Sequence, residues 1–408
     1  MIKNWFKNIG PGPLVAAAFI GPGTVTMCTL AGVKFGYALL WAMALSVIAT
    51  IVLQEMSSRL GIITQKGLAQ TIRAEIKSPV LKGLAVFLIL SAIVVGNTAY
   101  EAGNISGGVL GLEAIFGDQN IQTDWFSFNM FSVIIGLLAF ILLYIGNYKV
   151  IERVLVALVI LMSLAFFITA ILTKPNFINI VKGAFVPTYP QDSIFTIIGL
   201  IGTTVVPYNL FLHASLVKEK WHDKSDLKYA RKDTIVAVIL GGLVSMSVIV
   251  SSAAIQTEDI NSAADLAKGL EPLFGAYSKY FLAIGLFAAG ITSAITAPLA
   301  AAYVACGCLG WTSNLKSIRF RSIWVFILIF GIASSSLGIK SIEIIKFAQV
   351  ANGILLPVVA GFLIWVMNRT SVLGIYKNSL KQNVLGIVIL AITIFLGLKS
   401  ILKVFEVF

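Results

Sequence analysis

The fold class this sequence predicts is an all-α, polytopic membrane protein, and three observations predict it. Of 408 residues, 58% are hydrophobic and only 12% are charged, whereas soluble domains carry roughly 25% charged residues. Mean hydropathy is +0.94. Apolar runs of about 20 residues, the length that crosses a bilayer as a helix, recur from end to end. Finally, two of these runs are interrupted, at Gly21-Pro22-Gly23-Thr24 and at Val206-Pro207-Tyr208-Asn209. Proline removes a backbone donor and glycine adds chain entropy, so neither belongs in a helix interior. In lipid such a break survives only where the backbone is buried in protein or lines a cavity. Broken helices occurring as a pair point to the binding site of a transporter.

Taken in order, eleven spanning segments are expected. The first, 13–35, follows a basic start that looks like a signal peptide. Its apolar pattern continues past any cleavage point and carries the first break, so it reads as a retained helix. The second, 38–61, places Glu55 and Arg59 four residues apart on one face, where they can pair as an anchor or gate. The third, 83–111, and the eighth, 279–309, are long enough to tilt or to run past the membrane. The fourth and fifth lie at 127–146 and 152–173. The sixth, 193–217, contains the second break, and the seventh is 233–256. A polar, acidic loop at 256–278 has room for a short amphipathic helix. The eighth ends in Cys306-Gly307-Cys308, which suits close helix packing. The ninth to eleventh are 321–338, 342–366 and 384–405. No stretch resembles a separate soluble domain, so residues 1–408 form a single transmembrane domain.

Charge sets the orientation. Numbering the segment ends alternately puts 21 of the 30 Lys and Arg residues on the side of the N-terminus and 9 on the other. By the positive-inside tendency, the N-terminus is cytoplasmic, the C-terminus is extracytoplasmic, and a plasma (inner) membrane is the expected location. The net charge of +12 is thereby explained as topology and calls for no nucleic acid. Cys28, Cys306 and Cys308 lie in apolar segments without metal-ligand spacing. There is no H-E-x-x-H, G-x-S-x-G or phosphate loop, which argues against an enzyme, an ATP-driven pump and a bound cofactor.

Segments one to five and six to ten each open with a broken helix. Because five is odd, the second set must be inverted in the membrane. The expected plan is LeuT-type: two inverted five-helix repeats, about 13–173 and 193–366, plus an extra helix at 384–405.

Around the breaks the residues become specific. Pro207-Tyr208-Asn209-Leu210-Phe211-Leu212-His213-Ala214-Ser215 resembles the sixth helix of the Nramp family of divalent-metal transporters, which reads Met-Pro-His-Asn and then a second His followed by Ser. Gly21-Pro22-Gly23-Thr24 stands where that family has Asp-Pro-Gly-Asn. Glu101-Ala-Gly-Asn104 resembles its third-helix Asp-x-x-Glu segment, and Ala289-Gly290-Ile291-Thr292-Ser293 its eighth-helix Ala-Gly-Gln-Ser-Ser. The resemblance covers essentially all eleven segments and implies a secondary transporter working by alternating access. In the family, metal is held by the Asp and Asn of the first break and the Met of the sixth helix. Here those positions are Gly21, Thr24 and Val206. A carboxylate, an amide and a thioether are replaced by no side chain, a hydroxyl and an isopropyl group. The charge and the soft ligand that offset dehydration of a transition metal are therefore missing.

Two readings of the cargo follow. An organic anion, or a divalent metal already complexed by an organic acid such as citrate, suits a neutral site facing a half-helix N-terminus. The alternative is a free or hydrated divalent ion, Mg²⁺ or Mn²⁺, with or without proton coupling. A sensor that does not transport is the remaining class. The expected substrate-binding residues are Gly21, Gly23, Thr24, Thr203, Thr204, Tyr208, Asn209, Gln349 and Asn352, with Thr26 as a further hydroxyl. Met27 and Cys28 are expected to be core. Ionisable residues within a span are rare and usually functional. Glu101, with Asn104, is expected to take a proton or to balance a bound cation. His213 is expected on a proton path, and His222 only in solvent.

Overall fold

The computed structural model describes residues 20–122, 127–146, 149–255 and 260–404. The part of the first expected segment before Ile20 lies outside the described residues. The main helices are α1 (Pro22–Phe35), α2 (Leu40–Thr64), α3 (Leu68–Glu75), α4 (Pro79–Phe116, including a π turn at Ser91–Val95), α5 (Met130–Ile145), α6 (Lys149–Leu172) and α7 (Phe177–Phe185). There follow α8 (Ile194–Thr204), α9 (Pro207–Lys220), α10 (Leu227–Ser252), α11 (Ser278–Leu309), α12 (Ile318–Ser335), α13 (Ser341–Met367) and α14 (Leu380–Val404). A hairpin of two three-residue strands, β1 (Asn120–Gln122) and β2 (Ser127–Asn129), pairs antiparallel between α4 and α5. Short helical turns occupy 263–277 in the expected polar loop.

Every expected segment corresponds to a helix, and the sixth to the pair α8 and α9. Among the described residues, eight helices are long and apolar enough to cross a membrane, or nine if α6 and α7, bent by 119°, form one span. The described part of α1, at 14 residues, and α5, at 16, are shorter. The chain is thus a multi-pass helical membrane protein. Large apolar side chains such as Leu137, Ile141, Leu161 and Leu164 are exposed on its outside, where lipid replaces water. Four elements were not expected: α3, α7, the π turn and the β1–β2 hairpin, whose second strand occupies the start of the expected fourth segment.

Small residues set how closely the helices approach. A Cβ on Gly290 of α11 would meet the Gly108 backbone and the Asn104 carbonyl of α4, and one on Gly111 would meet the Ala283 carbonyl. Helices with lipid around them gain by packing of this kind. Likewise Gly202 of α8 lies on the Gln349 carbonyl of α13. Cys306-Gly307-Cys308 behaves as expected: Gly307 is where α3 packs, at Ala69 and Gln70. Met27 fills the space over Gly199, and Cys28 is buried.

The Glu55–Arg59 pair is present and larger than expected. Arg59 is 2% exposed. It donates to Glu55 at 3.0 Å, to the Tyr376 carbonyl at 2.7 Å and to Asn378 Oδ1 at 2.8 Å, while Arg231 of α10 reaches Glu55 at 2.7 Å. The network ties α2, α10 and the linker between α13 and α14.

Candidate functional site

Both breaks fold in the same way. Gly21 precedes α1 in an extended conformation (φ −98°, ψ −176°), and Val206 precedes α9 likewise (φ −70°, ψ 120°). Each helix then starts on a proline, which loses nothing at a position whose N–H has no intrahelical partner. No side chain caps either N-terminus. Two half-helices thus present their N-terminal ends, with the positive end of the helix dipole, inside the protein. The residues around both breaks are buried.

The two breaks touch. Thr24 Oγ1 and Thr203 Oγ1 are 2.7 Å apart, a hydrogen bond across 179 residues of sequence. Gln349 of α13 covers the same place, since its side chain packs on Gly23 where a Cβ would stand. Pro22 packs on Gly107 of α4. Helices α1, α4, α8, α9 and α13 therefore converge on the breaks. Glycine at 202 is required by the approach of α8 to α13, because a Cβ there would meet the α13 backbone, whereas one at 23 would displace only the Gln349 side chain.

Several buried polar atoms here have no hydrogen-bond partner: both amide atoms of Asn209, Gln349 Oε1, Asn352 Nδ2 and Tyr208 Oη. A buried polar group without a partner costs about 1–3 kcal/mol, so a concentration of them marks a place where a ligand or water supplies the missing bonds. The set is neutral. Among the described residues no three His, Cys, Asp or Glu side chains come together as a metal site. Val206 is buried and apolar.

Of the expected binding residues, Gly21, Gly23, Thr24, Thr203, Tyr208, Asn209, Gln349 and Asn352 lie on the segments that meet at the breaks. Thr204 does not point there. Its hydroxyl donates to the Leu200 carbonyl at 2.9 Å and touches Met43 Sδ at 3.5 Å. One residue further round α8 than Thr203, it faces α2. Thr26 is buried, with its hydroxyl unpartnered.

Glu101 is fully buried. Its Oε2 accepts from Asn104 Nδ2 at 3.4 Å and its Oε1 has no partner. Its side chain also lies against Gly331 of α12. The residue of that turn which reaches the second break is Tyr100, whose ring meets Tyr208 edge-on at 5.4 Å. Asn97 donates to the Ala297 carbonyl at 2.8 Å instead of to Glu101. His213 Nδ1 is 2.6 Å from Gln54 Oε1. The amide oxygen can only accept, so Nδ1 carries the proton, and Nε2 is buried without a partner. His222 is exposed, as expected.

Tyr100 and Gln54 were missed by sequence reasoning. The only signal in the chain was a polar or aromatic residue in an otherwise apolar run.

Residues 12–403 match the protein family described as Natural resistance-associated macrophage protein-like, or Nramp. The chain is 27% identical, over 99% of its length and 93% of the relative's, to a protein described as "Divalent metal cation transporter MntH" from Staphylococcus saprophyticus subsp. saprophyticus. Among solved structures, the Eremococcus coleocola manganese transporter superimposes with a TM-score of 0.76 at 21% identity, covering 98% of this chain and 87% of that one. MhsT in complex with L-phenylalanine superimposes with a TM-score of 0.57 at 14% identity, over 96% and 98%. These likenesses establish the LeuT-type fold.

Proposed function

The chain belongs to the Nramp family, and from that premise we propose that it is a secondary transporter moving a divalent metal ion across the plasma membrane by alternating access. Its relatives are described as divalent metal cation transporters. That description favours a metal ion over the organic anion read first from the sequence. An organic acid as cargo finds no support among them.

The observation that carries the reading is the neutral ring of unsatisfied polar groups where the two half-helices meet: Asn209, Gln349 and Asn352 beside the Thr24–Thr203 pair. A bare transition metal would shed its water without gaining a compensating charge, which is very costly at a buried site. A hard ion such as Mg²⁺ dehydrates reluctantly and keeps several waters. Amides and hydroxyls hold such an ion through those waters. In this reading Gly21, Gly23, Thr24, Thr203, Tyr208, Asn209, Gln349 and Asn352 form the site.

One observation favours a second reading. Two helix N-termini without side-chain caps, with no cluster of His, Cys, Asp or Glu among the described residues, suit a cargo that brings its own negative charge. That cargo is a metal complexed by an organic acid such as citrate.

Proton coupling, if present, runs through His213 Nε2 and Glu101 with Asn104. The two inverted five-helix repeats supply the rocking halves, with the N-terminus inside and the C-terminus outside.

Purified protein in liposomes, offered Mg²⁺, Mn²⁺, citrate and each metal with citrate side by side, tests both readings. Saturable uptake of the free ion supports the first. Uptake that requires citrate replaces it with the second. Binding without any uptake makes the protein a sensor.

A further inference from the structure

Away from the breaks, α3, the start of α4 and the end of α11 enclose a cavity of about 360 Å³. It is lined by Gln70 and Arg73 of α3, Lys82 of α4, and Gly307, Gly310 and Trp311 at the end of α11. A second cavity shares Gln70 and Gly307 with it and reaches Lys218 on α9. Arg73 and Lys82 line the first cavity and Lys218 the second, and no acid lines either. Among the described residues no ion pair involves Arg73 or Lys82.

The guanidinium of Arg73 packs over Gly310, the left-handed cap (φ 74°) that ends α11. The negative end of the α11 dipole holds it there without neutralising it. Trp311 is also part of the lining, with Arg319 over its ring at 5.4 Å. Lys82 lies on the packed face of α4, with Ala85 and Ile89. On the opposite face Val80, Leu84 and Phe87 repeat at helical spacing and are 79%, 53% and 65% exposed. In a membrane protein such a strip lies against acyl chains. The cleft is a positively charged hollow at one end of a candidate spanning helix whose outer face is apolar, on the Lys- and Arg-rich side of the protein.

We propose that this cleft binds the phosphate of an anionic phospholipid headgroup, held by Arg73 and Lys82. Basic pockets between helices on the cytoplasmic face take such headgroups. A zwitterionic lipid fits less well, because its ammonium group would find no carboxylate in the lining. The proposal is independent of the cargo at the breaks.

Native mass spectrometry of the full-length protein tests it, using phosphatidylglycerol and phosphatidylcholine as probes. Wild-type protein should retain phosphatidylglycerol preferentially. In the double variant Arg73→Gln, Lys82→Gln retention should fall by about tenfold or more. The charge-preserving Arg73→Lys, Lys82→Arg should retain it, and so should Lys279→Gln, placed on the other side by the charge count. Equal retention by wild type and the Gln variant, or equal retention of the two lipids, overturns the proposal. Displacement of the lipid by millimolar inorganic phosphate overturns the lipid as occupant and leaves a soluble phosphate in its place.

Discussion

Thr24 and Thr203 stand 179 residues apart in sequence and 2.7 Å apart in space. Each is one hydroxyl among many in the chain, and only their meeting makes them a site. Thr203→Val leaves the Thr24 hydroxyl short of this partner, at a cost of about 1–2 kcal/mol, and should lower the melting temperature in fluorimetry while weakening substrate binding. At Gly21, Thr24 and Val206 the neutral chemistry of the site is itself testable. The triple variant Gly21→Asp, Thr24→Asn, Val206→Met restores a charge, an amide and a thioether. Its affinity for free Mn²⁺ in calorimetry should rise by about tenfold or more, and an unchanged affinity would separate the lost ligands from the cargo. His213 offers Nε2 to a proton while Gln54 occupies Nδ1. If it lies on the proton path, His213→Gln should flatten the pH dependence of uptake across roughly pH 5–8. At this scale the types of residue were legible in the sequence, but their directions were not. Thr203 and Thr204 are neighbours, yet one bonds across the break and the other turns to α2. Glu101 drew attention as a buried charge, whereas its neighbour Tyr100 touches the second break.

Elements were far more legible. Both breaks, the helix α1 that follows the first and the helices α8 and α9 that flank the second follow from Gly and Pro inside apolar runs, because the backbone chemistry is local. The unexpected elements fail that test in different ways. Helix α3 is eight residues long, too short to show a clear period. Helix α7 is nine residues of mostly apolar sequence with none buried, and reads as part of the preceding loop. The π turn at Ser91–Val95 leaves no mark in a continuous apolar run. Close approach between elements rests on glycines such as Gly202, which lies on the Gln349 carbonyl. Gly202→Val should separate α8 from α13, with a loss of about 1–3 kcal/mol and of substrate binding, read by thermal unfolding with and without ligand. The Arg59 network joins α2, α10 and the linker before α14. Removing one member of a buried pair costs about 3–5 kcal/mol, so Arg59→Met should unfold at a markedly lower temperature than Arg231→Met, whose side chain is 44% exposed.

For the whole molecule, the Lys and Arg asymmetry of 21 against 9 makes a prediction about orientation. A C-terminal alkaline phosphatase fusion should be active and a C-terminal green fluorescent protein fusion dark, and the reverse pattern would contradict the expected odd number of spans. Class, span positions and break positions were determined by sequence alone. Each depends on the local balance of apolar area, backbone hydrogen bonding and charge, which a short window of residues reports. Tertiary structure decided which polar groups face one another: Thr24 with Thr203, Gln349 over Gly23, Tyr100 on Tyr208, Gln54 on His213, and Arg73 with Lys82 around one cleft. Those pairings join helices distant in the chain, and a one-residue rotation about a helix axis, about 100°, exchanges one partner for another. No local pattern encodes that angle. It is set by how small residues let the helices settle against each other.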